Sequence, residues 1–162
     1  MTWLITGGAG YIGSHIMRAF TESGIDVVAY DSLITGHREF VADDIELIEG
    51  DVRDYEALNR AFKNHSITGE VHLAGFKYAN VTVEQPLLAY DHNVNGTLAL
   101  LSAMQNNNVE AIVYSSSAAV YGTPQEERVT ESSPTKPEAP YGESKLIGEW
   151  AIAAQSRATG LR

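Results

Sequence analysis

Thr6-Gly7-Gly8-Ala9-Gly10-Tyr11-Ile12-Gly13 decides the fold of this chain. A short apolar run, Trp3-Leu4-Ile5, leads into it, and the spacing predicts a strand over 3–6. From Tyr11 to Ser23 the apolar residues recur at helical spacing, and Gly24 supplies a C-terminal stop. Strand, glycine turn and helix thus follow one another without a gap. Gly8, Gly10 and Gly13 fit Gly-x-Gly-x-x-Gly, and Gly7, Gly10 and Gly13 fit the related wider spacing. In this context the glycines form a phosphate cradle. The early ones permit the tight turn, Gly10 lets backbone approach a pyrophosphate, and Gly13 lets helix and strand pack closely. The helix N-terminus then offers free N–H groups and a positive dipole end.

A second strand, predicted over 27–30, ends next to Asp31, 18 residues after Gly13. A carboxylate there accepts from adenosine ribose hydroxyls and repels a 2′-phosphate, which favours NAD over NADP. The competing reading is an ordinary turn with Asp31 capping a strand end; it leaves the coincidence of strand, turn, helix and acid unexplained. Asp51 follows a third predicted strand, 45–49, in a parallel position. It suits either a bond to the adenine amine or the cap of the helix predicted over 54–65.

Further strands are expected over 71–74 and 112–115, a long helix over 86–106 and a final helix over 141–158. Residues 123–140 hold four of the five prolines and read as a loop. Strands alternating with helices imply right-handed βαβ units. The expected fold is α/β, a doubly wound parallel sheet of Rossmann type, which binds ligands at the carboxyl ends of its strands.

With 162 residues the chain reads as one domain, 1–162, and at 44% apolar and 20% charged residues it is ordinary for a globular protein. A formal net charge of −10, spread along the chain, argues against nonspecific nucleic-acid binding. No cysteine is present, which removes disulfides, thiolate metal sites and thiol nucleophiles, and no metal is expected. The N-terminal apolar run is too short for a signal peptide or a membrane span, so a cytoplasmic protein is expected.

Tyr141 and Lys145 lie four apart at the start of the last helix and so share a face. Tyrosine, with a free pKa near 10, is a poor base at neutral pH. A neighbouring ammonium favours the phenolate, and Lys145 also reaches a nicotinamide ribose. Ser117, after the fifth strand, is placed to bond the same substrate hydroxyl. Most Tyr-x-x-x-Lys pairs are surface decoration; this one gains weight from its setting. Glu70 is anomalous, since it precedes the fourth strand where an apolar residue is expected. It should lie at an exposed strand end, be paired, or be protonated. Ile34 is similarly unusual in the loop after Asp31.

Six blocks in order, 6–13, Asp51-Val52-Arg53-Asp54, Leu73-Ala74-Gly75-Phe76-Lys77, Asn93-Val94-Asn95-Gly96-Thr97, 115–122 with its triple serine, and Pro140-Tyr141-Gly142-Glu143-Ser144-Lys145, resemble the extended short-chain dehydrogenase/reductase family. Within it they look most like members that invert C4 of UDP-glucose and UDP-galactose. The resemblance implies NAD as cofactor and a UDP-sugar as substrate. It implies that Gly7, Gly10, Tyr11, Ile12 and Gly13 hold the pyrophosphate, and that Asp31, Ser32, Leu33, Thr35 and Gly36 border the adenosine ribose. Asp51 and Val52 would bracket adenine. Leu73, Ala74, Gly75 and Lys77 would line the cofactor channel, joined by Asn93, Ser115, Tyr141 and Lys145. Without the resemblance, Asn93 reads as a helix-surface amide and Lys77 as a solvated loop charge.

The implied chemistry is removal of the C4 hydroxyl proton by the Tyr141 phenolate with hydride transfer from C4 to NAD. A ketone intermediate turns over, and the hydride returns to its other face. Such enzymes are about twice this length, so the chain would be the cofactor-binding half, stopping before a sixth strand and lacking the sugar-nucleotide part. A homodimer through the long helix and the last helix is implied too. Two alternatives remain: another sugar-nucleotide enzyme of the family, or a noncatalytic NAD-binding domain. Dehydratases carry an Asp-Glu pair where this chain has Ala118-Ala119.

Overall fold

A computed structural model describes residues 1–125 and 127–162; Glu126, inside the predicted loop, lies outside the described residues. Among the described residues five strands, β1 (Thr2–Thr6), β2 (Asp26–Asp31), β3 (Glu46–Glu49), β4 (Ile67–His72) and β5 (Ile112–Tyr114), form one sheet in the order β3-β2-β1-β4-β5. Every pairing is parallel, as the βαβ alternation predicts. The helices are α1 (Tyr11–Glu22), α2 (Tyr55–His65), the short α3 (Ala79–Glu84) and α4 (Pro86–Ala89), α5 (Gly96–Asn106) and α6 (Pro140–Thr159). The predicted long helix is interrupted, because a π-helical segment, Tyr90–Asn95, joins α4 to α5. Short 3-10 turns at Arg38–Phe40 and Ala118–Tyr121 follow β2 and β5.

Each sheet face buries its own core. On one, Leu4, Val28 and Tyr30 meet Leu58 and Phe62 of α2 and Leu100 and Met104 of α5. On the other, Ile5, Ala29 and Val71 meet Met17 of α1. Strands covered on both faces read as continuous apolar runs, which is why β1 and β2 were legible.

The fourth strand corrects the prediction over 71–74. It starts at Ile67, and register with β1 places Glu70 beside Leu4 and His72 beside Thr6. Glu70 is therefore mid-strand and wholly buried, which excludes an exposed strand end. Neither of its carboxylate oxygens has a hydrogen-bond partner among the described residues, which excludes pairing. Burial raises its pKa well above the ordinary carboxyl value, with the polar groups of Thr6 offsetting only part. Of the three expectations, the protonated carboxyl is the one that stands.

β5 presents an edge, and Val113 there is half exposed. The backbone of Arg162 runs beside its start: Arg162 N donates to Glu110 O at 2.8 Å and Ile112 N donates to Arg162 O at 2.9 Å. Among the described residues no helix is long and apolar enough to cross a membrane.

Candidate active site

The strands all run the same way, so their carboxyl ends gather the functional side chains along one edge. At β1 the chain enters the glycine turn. Gly7 has φ +73°, a conformation that side chains resist, and its N–H bonds Tyr30 O at 2.8 Å. A β-carbon on Gly7 would sit 2.8 Å from Ala74 N, so the turn lies directly against the loop after β4. Helix α1 begins after Gly10 with no side-chain cap. Among the described residues, the Tyr11 and Ile12 N–H groups have no backbone acceptor, and both side chains are exposed. Orphan N–H groups at an uncapped helix start are what an anionic ligand satisfies.

Asp31, at the end of β2, is buried and organises this turn. Its Oδ2 accepts from Ala9 N at 3.0 Å and its Oδ1 from Leu33 N at 2.8 Å. Each oxygen keeps a lone pair for a ribose hydroxyl. Leu33 adopts a left-handed φ of 57°, and Ile34 beyond it is exposed. Gly36 packs on the Asp31 carboxylate and on Ala9, so Ser32, Leu33, Thr35 and Gly36 wrap the turn from the β2 side.

Asp51 does not cap α2. The cap is Asp54, which accepts from Ala57 N at 3.0 Å. Asp51 instead accepts from Arg53: its backbone N at 2.9 Å and its Nε at 3.0 Å on Oδ1, its Nη2 at 2.6 Å on Oδ2. Hydrogen bonding to that guanidinium holds the Asp51 carboxyl below its usual range. Arg53 Nη1 bonds Asp91 on the π segment.

At β4 the loop 73–77 turns over Asn93. Asn93 is buried, not a surface amide: its Oδ1 accepts from Phe76 N at 2.6 Å, and its Nδ2 donates to Phe76 O at 3.1 Å and to Ser144 Oγ at 2.9 Å. Gly75 sits against both Asn93 and Lys145 Nζ. Lys77 is exposed, its ammonium 5.7 Å from the Tyr78 ring centre.

A buried relay fixes the π segment. Thr97 Oγ1 donates to Asn93 O at 2.6 Å, and His72 Nε2 lies 3.1 Å from Thr97 Oγ1. With the threonine proton committed, Nε2 must carry the hydrogen, leaving Nδ1 to accept from Thr6 Oγ1 at 2.7 Å. Burial, helped by the Lys145 charge, pushes the imidazole pKa down to about 3, so it stays neutral. Spacing alone did not single out His72, Thr97, Ser144 or Arg53, because their partners lie far off in the chain. A π segment is itself a signal, since such bulges concentrate at functional sites.

Lys145 is buried on α6. Its Nζ donates to Ser115 O at 3.0 Å and lies 5.2 Å from the Tyr114 ring centre. Desolvation lowers its pKa to about 8. One donated bond leaves its other N–H groups free for a ligand. Tyr141 is half-buried one turn earlier. The first turn of α6 lies on the 3-10 turn after Ser117, where a β-carbon on Gly142 would sit 2.6 Å from Ala119 O. Ser117 Oγ accepts from Ala119 N at 3.2 Å, and its hydroxyl proton remains available. Tyr90 bonds Glu143, and Ser116 bonds Glu149, tying α6 to the π segment and to β5.

Glycine turn, Asp31 carboxylate, buried Asn93 amide and the Tyr141-Lys145 pair thus line one sheet edge, and the residues present fit a dinucleotide. The family model for the NAD dependent epimerase/dehydratase family matches residues 3–162. The chain belongs to this family. Among curated epimerase/dehydratase relatives it is 43% identical to the UDP-glucose 4-epimerase of Lacticaseibacillus casei over 158 residues, 95% of this chain and 48% of that one. It is 40% identical to that of Lactobacillus helveticus, covering 100% of this chain and 49% of the relative. Among solved structures, UDP-glucose 4-epimerase from Brucella ovis in complex with NAD superposes with TM-score 0.96 at 36% identity, over 99% of this chain and 49% of that one. The Thermus thermophilus UDP-glucose 4-epimerase complex with NAD gives 0.96 at 38%, over 100% and 53%. The chain spans about half the length of the curated relatives it matches.

Proposed function

We propose that this chain is the NAD-binding half of an enzyme that epimerises UDP-glucose and UDP-galactose at C4. The observation that carries the reading is the line of groups at the strand ends: open helix N-terminus, Asp31 carboxylate, Asn93 amide and Lys145 ammonium. Solved relatives of this fold include complexes with NAD. Gly7, Gly10, Tyr11, Ile12 and Gly13 would hold the pyrophosphate. Asp31 to Gly36 would hold the adenosine ribose, and Asp51 and Val52 the adenine. Leu73 to Lys77, Asn93 and Ser115 would line the nicotinamide side.

Bound NAD supplies a hydride acceptor that is restored within each cycle. Tyr141 takes the proton of the sugar C4 hydroxyl and returns it. Lys145, held by Ser115 O one helical turn from Tyr141, keeps N–H groups free for the nicotinamide ribose. Ser117 orients the same hydroxyl through its free proton. The UDP group would be held by the part of the relatives that this chain does not span.

Extraction of the purified chain is expected to release NAD, or calorimetry to show NAD binding. Lys145→Met is expected to weaken NAD about tenfold, the worth of one charge-assisted bond. Tyr141→Phe, which removes no charge, should weaken NAD much less than Lys145→Met does. No detectable binding at millimolar NAD sinks the proposal. Turnover of UDP-galactose at an enzyme-like rate by these 162 residues would refute the half-enzyme part.

The protein is expected in the cytoplasm and as a homodimer. Exposed Leu87 and Leu98 on the long helical unit and Trp150 on α6 are apolar surface for a partner helix pair. Sedimentation at micromolar concentration should give twice the chain mass, and Trp150→Glu should shift it to the monomer. A monomeric wild type counts against the dimer.

A further inference from the structure

The loop after β3 is fastened more firmly than a surface loop requires. Tyr30, fully buried on β2, donates its hydroxyl to Asp51 O at 3.0 Å. Val52 is buried against the start of α5, where a β-carbon on Gly96 would lie 2.9 Å from Val52 Cγ2. Arg53 then joins two carboxylates. Its Nε and Nη2 engage Asp51, and its Nη1 engages Asp91 on the π segment. Asp91 is itself steadied by Asn95 Nδ2, 3.1 Å from its Oδ1.

This arrangement does something specific to Asp51. Oδ1 accepts two bonds, from the Arg53 backbone N–H and from Nε. Oδ2 takes Nη2 at 2.6 Å, with Nε a further 3.2 Å contact. Two fork bonds fix the plane of the carboxylate. Three N–H groups serve the carboxylate, with Nε shared between its oxygens, so of four acceptor directions one, on Oδ2, stays open. A lone carboxylate at a loop tip would rotate and offer acceptors in many directions; this one, held by the fork, offers a single acceptor in one fixed orientation.

We propose that Arg53, braced by Asp91, is a positioning residue that turns Asp51 into a selective acceptor for the adenine amine of a dinucleotide. The proposal rests on the reading of this edge as an NAD site with Asp51 at the adenine. Its added content is specificity. An aimed acceptor bonds an exocyclic amine and repels a carbonyl oxygen at the same position. A site built around a hydrogen bond rejects the analogue that cannot make it far more strongly than shape alone does. A clamp that served only to hold the loop would instead change affinity for every dinucleotide alike.

The probe is nicotinamide hypoxanthine dinucleotide, which differs from NAD by a carbonyl in place of the adenine amine. Both affinities are measured by titration calorimetry on the full chain for wild type, Arg53→Met, Arg53→Lys and Asp91→Asn, with folding checked by circular dichroism. Wild type is expected to prefer NAD at least tenfold, the lower end for a bond to a charged acceptor. Arg53→Met should weaken NAD about tenfold and leave the hypoxanthine analogue unchanged, bringing the ratio near one. Asp91→Asn keeps the Arg53–Asp51 fork and loosens its brace, so its ratio should fall between the two. If Arg53→Met does not fold, Arg53→Lys, which cannot make the fork, should show the loss of preference. Equal weakening of both dinucleotides, or an unchanged ratio in the variants, overturns the proposal and leaves the NAD site standing. A wild type that binds NAD without preference overturns it too. A wild type that binds neither dinucleotide overturns the NAD reading itself.

Discussion

Glu70→Met is expected to stabilise the chain by about 1–3 kcal/mol near neutral pH, the cost of a buried polar group without hydrogen bonds. The reason is the position of Glu70, fully buried between Leu4 and Ile112 in the middle of the sheet, with both oxygens unpartnered. Thr6, its polar neighbour, spends its hydroxyl on His72. Methionine has nearly the same reach and carries no polar oxygen, so it refills the space at little packing cost. The effect should depend on pH, with a definite sign. Burial raises the folded-state pKa of Glu70 well above its ordinary value of 4.5. Between those two values the folded chain holds a proton that the unfolded chain has released, so stability falls as pH rises. The full contribution is present below 4.5 and is eroded as pH climbs through the folded value. Urea unfolding at about pH 5 and about pH 8 should therefore show a larger gap between Glu70→Met and wild type at the higher pH. Glu70→Gln keeps a buried polar group but cannot titrate, so it should remove the pH dependence with less gain. A gap that is the same at both pH values, or a less stable Glu70→Met, would refute this account.

The same residue shows where reading the sequence stops. The glycine turn was legible because its chemistry is local: strand, turn and helix lie within a few residues of one another. Asp31 was legible for the same reason, one βαβ unit further on. The fourth strand was misplaced because Gly69 and Glu70 break the apolar run that signals a buried strand. What sets that strand is its register against β1, a pairing made across more than sixty residues of chain. Burial overrode local propensity, and the carboxyl adapts by holding its proton.

Asn93 shows the limit on the side of the site. Its three side-chain bonds reach Phe76 and Ser144, 17 and 51 positions away, and a helical pattern has no means of announcing them. The π segment that aims Asn93 inward leaves no mark in apolar spacing. Arg53 was passed over within its own motif because Asp91, its second partner, is 38 positions distant. Asp51 stayed open between an adenine contact and a helix cap for want of that information; the cap is Asp54, three residues on.

Gly13→Val is expected to reduce NAD affinity by at least about 100-fold, equivalent to losing two bonds from backbone N–H groups to a charged phosphate. A β-carbon at position 13 would overlap Gly7 O and lie 2.7 Å from Gly8 Cα and 2.8 Å from Gly8 O. All three are backbone atoms of the turn, so no side chain can swing aside to make room. Either α1 moves away from β1, or the turn opens. Both displace the uncapped Tyr11 and Ile12 N–H groups from their common direction. The variant should also melt earlier, since the same contact closes helix on strand. Gly24→Ala separates the two effects. Gly24 also has a left-handed φ, +74°, but open space around it. Alanine there should cost about 1 kcal/mol of stability through backbone strain and leave NAD binding intact. Thermal melts and NAD titrations of the two variants side by side are therefore decisive. If Gly13→Val binds NAD as tightly as Gly24→Ala does, the turn at 7–13 is a structural corner only and the phosphates lie elsewhere.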